Sequence, residues 1–300
     1  MSDQEHTEGG VLSAAPVGGS ATPASAESTT AAGAGSATPA DLELALRLAE
    51  IAAEIALPRF RAADLRVSTK PDRTFVTDAD QAVEAAIRDE ILAQRPGDSF
   101  YGEETGKTAA AARQWIVDPI DGTSNFLRGV PNWATLIALV VNGEAQLGVV
   151  AMPALNTVWW ALKGQGAFKQ IGSAPAEQIH TSQITELADA SLSFQSIQQW
   201  EEAGELDTLL SLRRQVWRDR AYGDAWSYML LAEGLIDIVG EFDVKPYDLA
   251  AHITIVREAG GKITDYWGKD SIETGSCLAS NGPLHSSIIT SLHGQDKERE

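Results

Sequence analysis

One cysteine, Cys277, is all that this chain of 300 residues carries. An intramolecular disulfide framework is therefore excluded and a reducing compartment expected; within "SCLAS" the thiol reads as a small buried hydrophobe. Basic residues are also scarce, with 23 Lys plus Arg against 42 Asp plus Glu and a formal charge of −19. Such a field repels nucleic-acid backbones and anionic membranes, so neither is an expected partner. No apolar run approaches the roughly 20 residues of a membrane span; the longest is "WATLIALVV". The acidic, polar opening "MSDQEHTEGG" lacks the basic and then apolar character of a secretory signal, which leaves the cytoplasm as the expected location. Residues 1–39 have no aromatic and only Val11, Leu12 and Val17 as larger aliphatics. Too little surface is available there to offset the entropy of ordering, and a disordered Ala/Gly/Ser/Thr-rich tail is expected.

From residue 40 the composition changes. At 44% hydrophobic content, residues 40–300 can build one large domain. Leu44, Leu48, Ile51 and Ile55 mark one face of a helix that ends near Pro58, and Val83, Ile87 and Ile91 mark a second helix starting at Asp78. Short β-type runs come next: "SFYG" (99–102), "WIVD" (115–118), "ATLIALVV" (134–141), "AQLGVVAM" (145–152) and "VWWALK". Asn142-Gly143 between two of them is a strong hairpin signal. Beyond residue 175 the pattern alternates: strand "SLSF", helix "EEAGELDTLLSLRR", strand "QVWRDR", helix "DAWSYMLLAEG", strand "IDIVGE", helix "DLAAHITIVREAGG", strands "KITD" and "SCLAS", and a last helix from Pro283. An antiparallel α+β half (40–175) joined to an α/β half (176–300) is predicted.

Four acidic stations sit at the ends of apolar runs: Asp78 and Asp80 in "VTDAD", Glu103 and Glu104 in "YGEET", Asp118 and Asp121 in "DPIDGT", and Asp248 in "KPYDLAA". Strand ends are where a sheet presents side chains to a cleft. Pro119 fixes φ and carries no N–H, so the chain is expected to bend after Asp118 and to aim Asp118 and Asp121 at one point. Gly122 and Thr123 then offer backbone N–H groups to an oxyanion. Carboxylates beside an anion cradle require cations between them, and Mg²⁺, an oxygen-seeking ion that bridges carboxylates to phosphate, fits. Zinc does not, because His6, His180, His252, His285 and His293 show no ligand spacing. Taken singly, each station has a plainer reading: Asp-x-x-Asp as a capped, solvated turn, "GEET" as a capping box, Asp248 as a helix N-cap. Other phosphate chemistries fail on spacing. A cysteine phosphatase needs arginine where Pro283 stands, an aspartyl-phosphate enzyme needs other residues than Gln81 and Ala82 after "DAD", and no Walker loop or Gly-x-Gly-x-x-Gly occurs.

In that order, "GEE", "WIVDPIDGTSNF" and "YDLAAHITIVREAGG" resemble the inositol monophosphatase superfamily, over about residues 41–295. The resemblance implies an α/β fold layered as an α/β/α/β/α sandwich, a homodimer, and Mg²⁺-dependent hydrolysis of a small phosphomonoester. It further implies Glu103, Asp118, the Ile120 carbonyl, Asp121 and Asp248 as metal ligands. Thr123, with Asp80 behind it, would orient a water activated by metal and Glu103, and the N–H groups of Gly122 and Thr123 would hold phosphate. Tyr247 stands where the family usually has tryptophan. "RAYGDAWSYMLLAEG" and "LSF" further resemble the actinobacterial-type histidinol-phosphatases of histidine biosynthesis. There Asp224 would meet the ammonium of histidinol phosphate, a cation that uncharged inositol lacks. Glu241 could share that role and Arg220 could contact phosphate, while Asp224 as a plain helix N-cap is the structural alternative. An inositol-1-phosphate or sugar-phosphate phosphatase is the runner-up. The intact ligand set argues against a catalytically silent metal-binding regulator.

Overall fold

Helix α1 (Pro39–Ala56) and helix α2 (Asp78–Gln94) each open on a capping box, Thr38 with Asp41 and Thr77 with Asp80. In each, the hydroxyl and the carboxylate satisfy N–H groups that the first turn leaves without a helical partner. The computed structural model describes residues 35–71 and 74–293. The tail predicted over residues 1–39 thus lies almost wholly outside the described residues, and its last residue, Pro39, is already helical.

Between these helices β1 (Val67–Thr69) and β2 (Phe75–Thr77) form an antiparallel hairpin. Next in the chain is the large sheet: β3 (Ser99–Gly102), β4 (Gly106–Lys107), β5 (Arg113–Asp121), β6 (Ala134–Val141), β7 (Glu144–Met152), β8 (Thr157–Leu162), β9 (Ala167–Ile171) and β10 (Glu177–Ile179), with the short helix α3 (Thr123–Arg128) after β5. Its order is β10-β9-β8-β7-β6-β5-β3-β4, and only the β3–β5 pair is parallel. The second sheet comprises β11 (Ser191–Phe194), β12 (Arg218–Arg220), β13 (Ile238–Phe242), β14 (Gly261–Thr264) and β15 (Ser276–Asn281). Its order is β12-β11-β13-β15-β14, with β11 parallel to both its neighbours. Helices α4 (Ile197–Glu202), α5 (Leu206–Gln215), α6 (Asp224–Ala232), α7 (Pro246–Glu258) and α8 (His285–His293) complete the fold.

Three apolar cores separate five layers. Leu48, Val83 and Ile87 of α1 and α2 pack with Ile137 and Leu139 of β6 on one face of the large sheet. Leu136, Ala138 and Val150 on its other face meet Met229, Leu231, Ile253 and Ile255 of α6 and α7. Trp200, Leu209, Leu212 and Ile288 of α4, α5 and α8 cover Leu192, Ile238 and Leu278 on the outside of the second sheet. The result is the α/β/α/β/α sandwich. Every residue of β6 is buried, which is why "ATLIALVV" is continuously apolar instead of alternating. Helix α7 lies so close to β7 that a Cβ on Gly148 would stand 2.2 Å from the Ala251 carbonyl oxygen. Only glycine fits there.

Several elements differ from expectation. The predicted helix over 201–214 is two helices, α4 and α5, broken at Gly204 with φ 78°. "QVWRDR" yields a strand over its last three residues only, and α8 begins at His285 after a 3₁₀ turn. Strands β1, β2, β4, β9 and β10 and helix α3 lack the longer periodic runs on which the reading relied. The division at residue 175 also shifts: β10 pairs with β9 in the large sheet, so the second sheet begins only at Ser191. At Asn142-Gly143, φ values of 51° and 84° close the hairpin between β6 and β7.

Candidate active site

Strand β5 does not stop at Asp118 but runs on to Asp121, with a register shift in between: Asp118 pairs with Leu136 and Asp121 with Ala134. Three residue steps on β5 face two on β6, a one-residue bulge at Pro119 and Ile120. The consequence is chemical. Side chains three apart on a regular strand point to opposite faces, whereas the bulge turns both aspartates to one side. Carboxylate oxygens of Asp118, Asp121 and Asp248 all lie within 4.8 Å of one another.

Each is tied down from behind. Asp118 Oδ1 accepts from the Ile120 N–H at 3.0 Å, and Asp121 Oδ2 from the Ala225 N–H at the start of α6 at 2.7 Å. Asp248 sits in the first turn of α7, where its Oδ2 accepts from the Lys245 N–H at 2.6 Å; it closes the cap, and Lys245 is the N-cap residue. Glu103 comes directly after β3, with its carboxylate 2.7 Å from Lys70 Nζ, and Glu104 is 2.9 Å from the same ammonium. Thr123 Oγ1 lies 3.3 Å from Asp80 Oδ1 and 3.0 Å from the Ile120 carbonyl oxygen. Asp78, by contrast, turns away to Arg59 and Arg66.

These groups open on a cavity of about 850 Å³. Seven carboxylates line it (Glu103, Asp118, Asp121, Glu202, Asp224, Asp243, Asp248), and no lysine or arginine is among its described lining residues. Burial, and then the charges of Glu103, Asp121 and Asp248, push the Asp118 carboxyl well above the usual range. Asp121 is raised by burial and then by Asp224 and Asp248. Burial carries Asp248 to about 7 and Asp80 to about 6. Carboxylates so crowded cannot all ionise without positive charge among them. The donor set is entirely oxygen, with neither thiolate nor imidazole in the group, and that suits a hard divalent cation.

Next to Asp121, Asp224 has φ 49° and lines the cavity half-buried. It is not the N-cap of α6; Gly223 is, and the Asp224 carboxylate makes no capping bond. Instead Asn125 Nδ2 donates to its Oδ2 at 2.6 Å and Gln195 Nε2 to its Oδ1 at 2.8 Å. Two expected site residues are not among the lining residues. Glu241 is buried on β13 and accepts from the Tyr228 hydroxyl at 2.6 Å, near enough for its charge to add to the rise at Asp121. Burial raises its carboxyl to about 8. Arg220 is exposed on β12, an edge strand, and spends its guanidinium on the Asp219 carbonyl at 2.6 Å. Neither lines the cavity.

Sequence reasoning missed Lys70, Gln195, Asn125 and Glu84. Glu84, fully buried on α2, accepts from the Glu104 N–H (2.7 Å), the Thr105 N–H (2.8 Å) and the Thr105 hydroxyl (2.6 Å). It thereby builds the turn that carries Glu103. A Cβ on Gly102 would lie 2.4 Å from the Glu84 carboxyl carbon, so the glycine of "GEE" makes room for a carboxylate from another helix. Tyr247 packs edge-on against Tyr101 at 5.8 Å, a packing position as its sequence context suggested.

A five-layer sandwich with carboxylates gathered at a bulged strand end defines a class of phosphoric monoester hydrolases. The chain belongs to it: residues 40–297 match the inositol monophosphatase family. Within the family it is similar to the histidinol-phosphatase of Mycobacterium tuberculosis, 50% identical over 254 residues that cover 84% of this chain and 98% of that protein. The histidinol-phosphatase of Streptomyces coelicolor is 46% identical over 257 residues, covering 84% and 97%. Among solved structures, the extragenic suppressor protein suhB from Bartonella henselae aligns with a TM-score of 0.78 at 28% identity, covering 85% of this chain and 98% of that one.

Proposed function

We propose that this enzyme hydrolyses L-histidinol phosphate to L-histidinol and inorganic phosphate with Mg²⁺, as a cytoplasmic homodimer. The observation that carries the substrate assignment is Asp224, a carboxylate held in the cavity wall beside the acidic cluster by two amides. A carboxylate kept there gains from a substrate ammonium and gains little from a neutral polyol. Similarity along the whole domain to two histidinol-phosphatases supports the same reading.

Asp118, Asp121, Asp248, Glu103 and the Ile120 carbonyl would hold the metal, which supplies positive charge against the phosphoryl oxygens and lowers the pKa of water. The chain's own groups do the rest. Backbone N–H groups of Gly122 and Thr123 hold phosphoryl oxygens, and the Thr123 hydroxyl, with Asp80 behind it, orients the attacking water. Glu103 takes a proton from that water as its oxygen bonds to phosphorus. The ester P–O bond breaks, the leaving alkoxide takes a proton from water in the cavity, and Glu103 returns its own proton to solvent. Asp224 binds the ammonium on the alcohol side and so orients the leaving group. Phosphomonoester hydrolysis is among the slowest uncatalysed reactions, so charge on both attacking and leaving oxygens has to be met.

Phosphate release from L-histidinol phosphate and inositol 1-phosphate, measured in parallel at neutral pH with Mg²⁺ or EDTA, tests this. The expected result is Mg²⁺-dependent turnover with higher kcat/KM for histidinol phosphate. Preference for inositol 1-phosphate would overturn the substrate assignment. Light scattering of the purified protein tests the dimer.

A further inference from the structure

The Asp224 carboxylate is not left to find its own position. Its two oxygens are held by amides from two distant segments: Asn125, on α3 directly after the bulged strand, and Gln195, directly after β11. Gln195 holds it twice. Besides donating to Oδ1, it accepts from the Asp224 backbone N–H through Oε1 at 2.7 Å. That second bond fixes the main chain at a residue whose φ of 49° lies in the left-handed region. For a residue with a Cβ this conformation is strained, so it persists where the surroundings hold it.

Gly223 makes the grip possible. With φ 79°, a Cβ there would lie 2.9 Å from Gln195 Oε1. The cavity wall is thus cut back at the place where the glutamine amide must pass to reach Asp224. Asn132 braces the same stretch, with Nδ2 3.0 Å from the Tyr222 carbonyl oxygen.

We infer that Gln195 is a positioning residue for substrate discrimination: together with Asn125 it holds the Asp224 carboxylate in one orientation, with a lone pair on each oxygen left for a cationic group of the substrate alcohol. This inference rests on the proposed substrate reading. The chemistry distinguishes a holder from a binder. Neutral amide donors satisfy half of the carboxylate's acceptor capacity and cancel none of its charge, whereas an arginine or lysine partner would have neutralised it. Burial raises the Asp224 carboxyl and both amides act against that rise.

The test is steady-state kinetics of the full-length, Mg²⁺-loaded enzyme on L-histidinol phosphate and inositol 1-phosphate, for wild type, Gln195→Leu, Gln195→Glu, Asp224→Ala and the Gln195→Leu/Asp224→Ala double variant. Gln195→Leu should lower the histidinol phosphate to inositol phosphate ratio of kcat/KM by about tenfold, the worth of one or two hydrogen bonds to a charged group. The change should appear in KM for histidinol phosphate more than in kcat. Gln195→Glu, which replaces the amide donor with a second negative charge, should lower the ratio as well. The double variant should discriminate no worse than Asp224→Ala alone, because the glutamine acts through the aspartate. Equal loss on both substrates, or additive losses in the double variant, would overturn the inference. Wild-type preference for inositol 1-phosphate would instead sink the substrate reading. The holding role is then scored by a crystal structure of Gln195→Leu: a displaced Asp224 carboxylate sustains it, and an unmoved one overturns it.

Discussion

Asp121 and Asp224 line one cavity side by side, Asp224 being foremost among the charges that raise Asp121, yet the groups that hydrogen-bond them differ. Around Asp121 stand further carboxylates, and its bond from the Ala225 N–H is the only one given it by the described residues. Around Asp224 stand side-chain amides, one for each oxygen. The same functional group therefore serves two ends. A carboxylate massed with its like is unstable until a small, doubly charged cation joins it. A carboxylate held by fixed amides, which act against the rise that burial imposes, is suited to a larger organic cation. The metal side draws on the bulged end of β5 and the first turn of α7, and the alcohol side on the junction of β11 with α6.

Breaking the first side should have the largest effect. Asp121→Asn removes one negative charge from the cluster and should cut kcat/KM by on the order of a thousandfold, read as phosphate release over a Mg²⁺ titration; EDTA should abolish wild-type activity. If Asp121→Asn retains most of its activity, the cluster is not the metal centre. Next in size comes the support of Glu103. Glu84→Leu deletes all three bonds that shape the turn, and a catalytic group displaced by about 1 Å loses on the order of a hundredfold in rate. Glu84→Gln keeps part of the turn and should fall between, with a raised Mg²⁺ requirement as the sign of misplacement.

A third prediction uses a buried titratable group away from both sides as a control. His285 is 4% exposed between Ser280 and Thr264, and burial, then Lys262, depresses its pKa to about 4. Its unfolded value is about 6.5. Below pH 6.5 the unfolded chain binds the extra proton and the folded one does not, so stability is full above 6.5 and falls as pH drops toward 4. Between pH 7 and 5 the histidine should cost about 2 kcal/mol. Urea melts of His285→Gln should show a correspondingly shallower acid loss, while activity at neutral pH stays close to wild type. The smallest effect belongs to the alcohol side. Asp224→Ala should raise KM for histidinol phosphate at least about tenfold and leave inositol 1-phosphate nearly unaffected. A uniform rise on both would erase the contrast between the two carboxylates.

Legibility divided along the same line. "WIVDPIDGTSNF" was readable because the strand, the bulge and the turn that assemble Asp118, Asp121 and Thr123 are contiguous in the chain. The buried runs of β6 and β7 were readable because full burial demands an unbroken apolar stretch, and the faces of α1 and α2 because one-sided burial imposes a period on the sequence. Glu241 and Arg220 are not among the cavity's lining residues, because proximity in sequence does not say where a side chain points. Glu241 turned inward to Tyr228, and Arg220 stayed on an exposed edge. The break between α4 and α5 at Gly204 lay inside a stretch whose composition is helical on both sides.

By itself the sequence determined the Asp118 and Asp121 pair, the elements that carry it and the need for a cation, since each comes from residue type at short spacing; that Asp248 joins the pair is a matter of the fold. Only the tertiary structure decided that Glu84 shapes the Glu103 turn from another helix, that Lys70 pairs with Glu103, and that Gln195 and Asn125 meet on Asp224 from residues 29 and 99 positions away. The reason is physical: hydrogen bonds between distant segments impose no periodicity and no local propensity, so nothing in either segment announces the other until both sheets and the helices between them are packed.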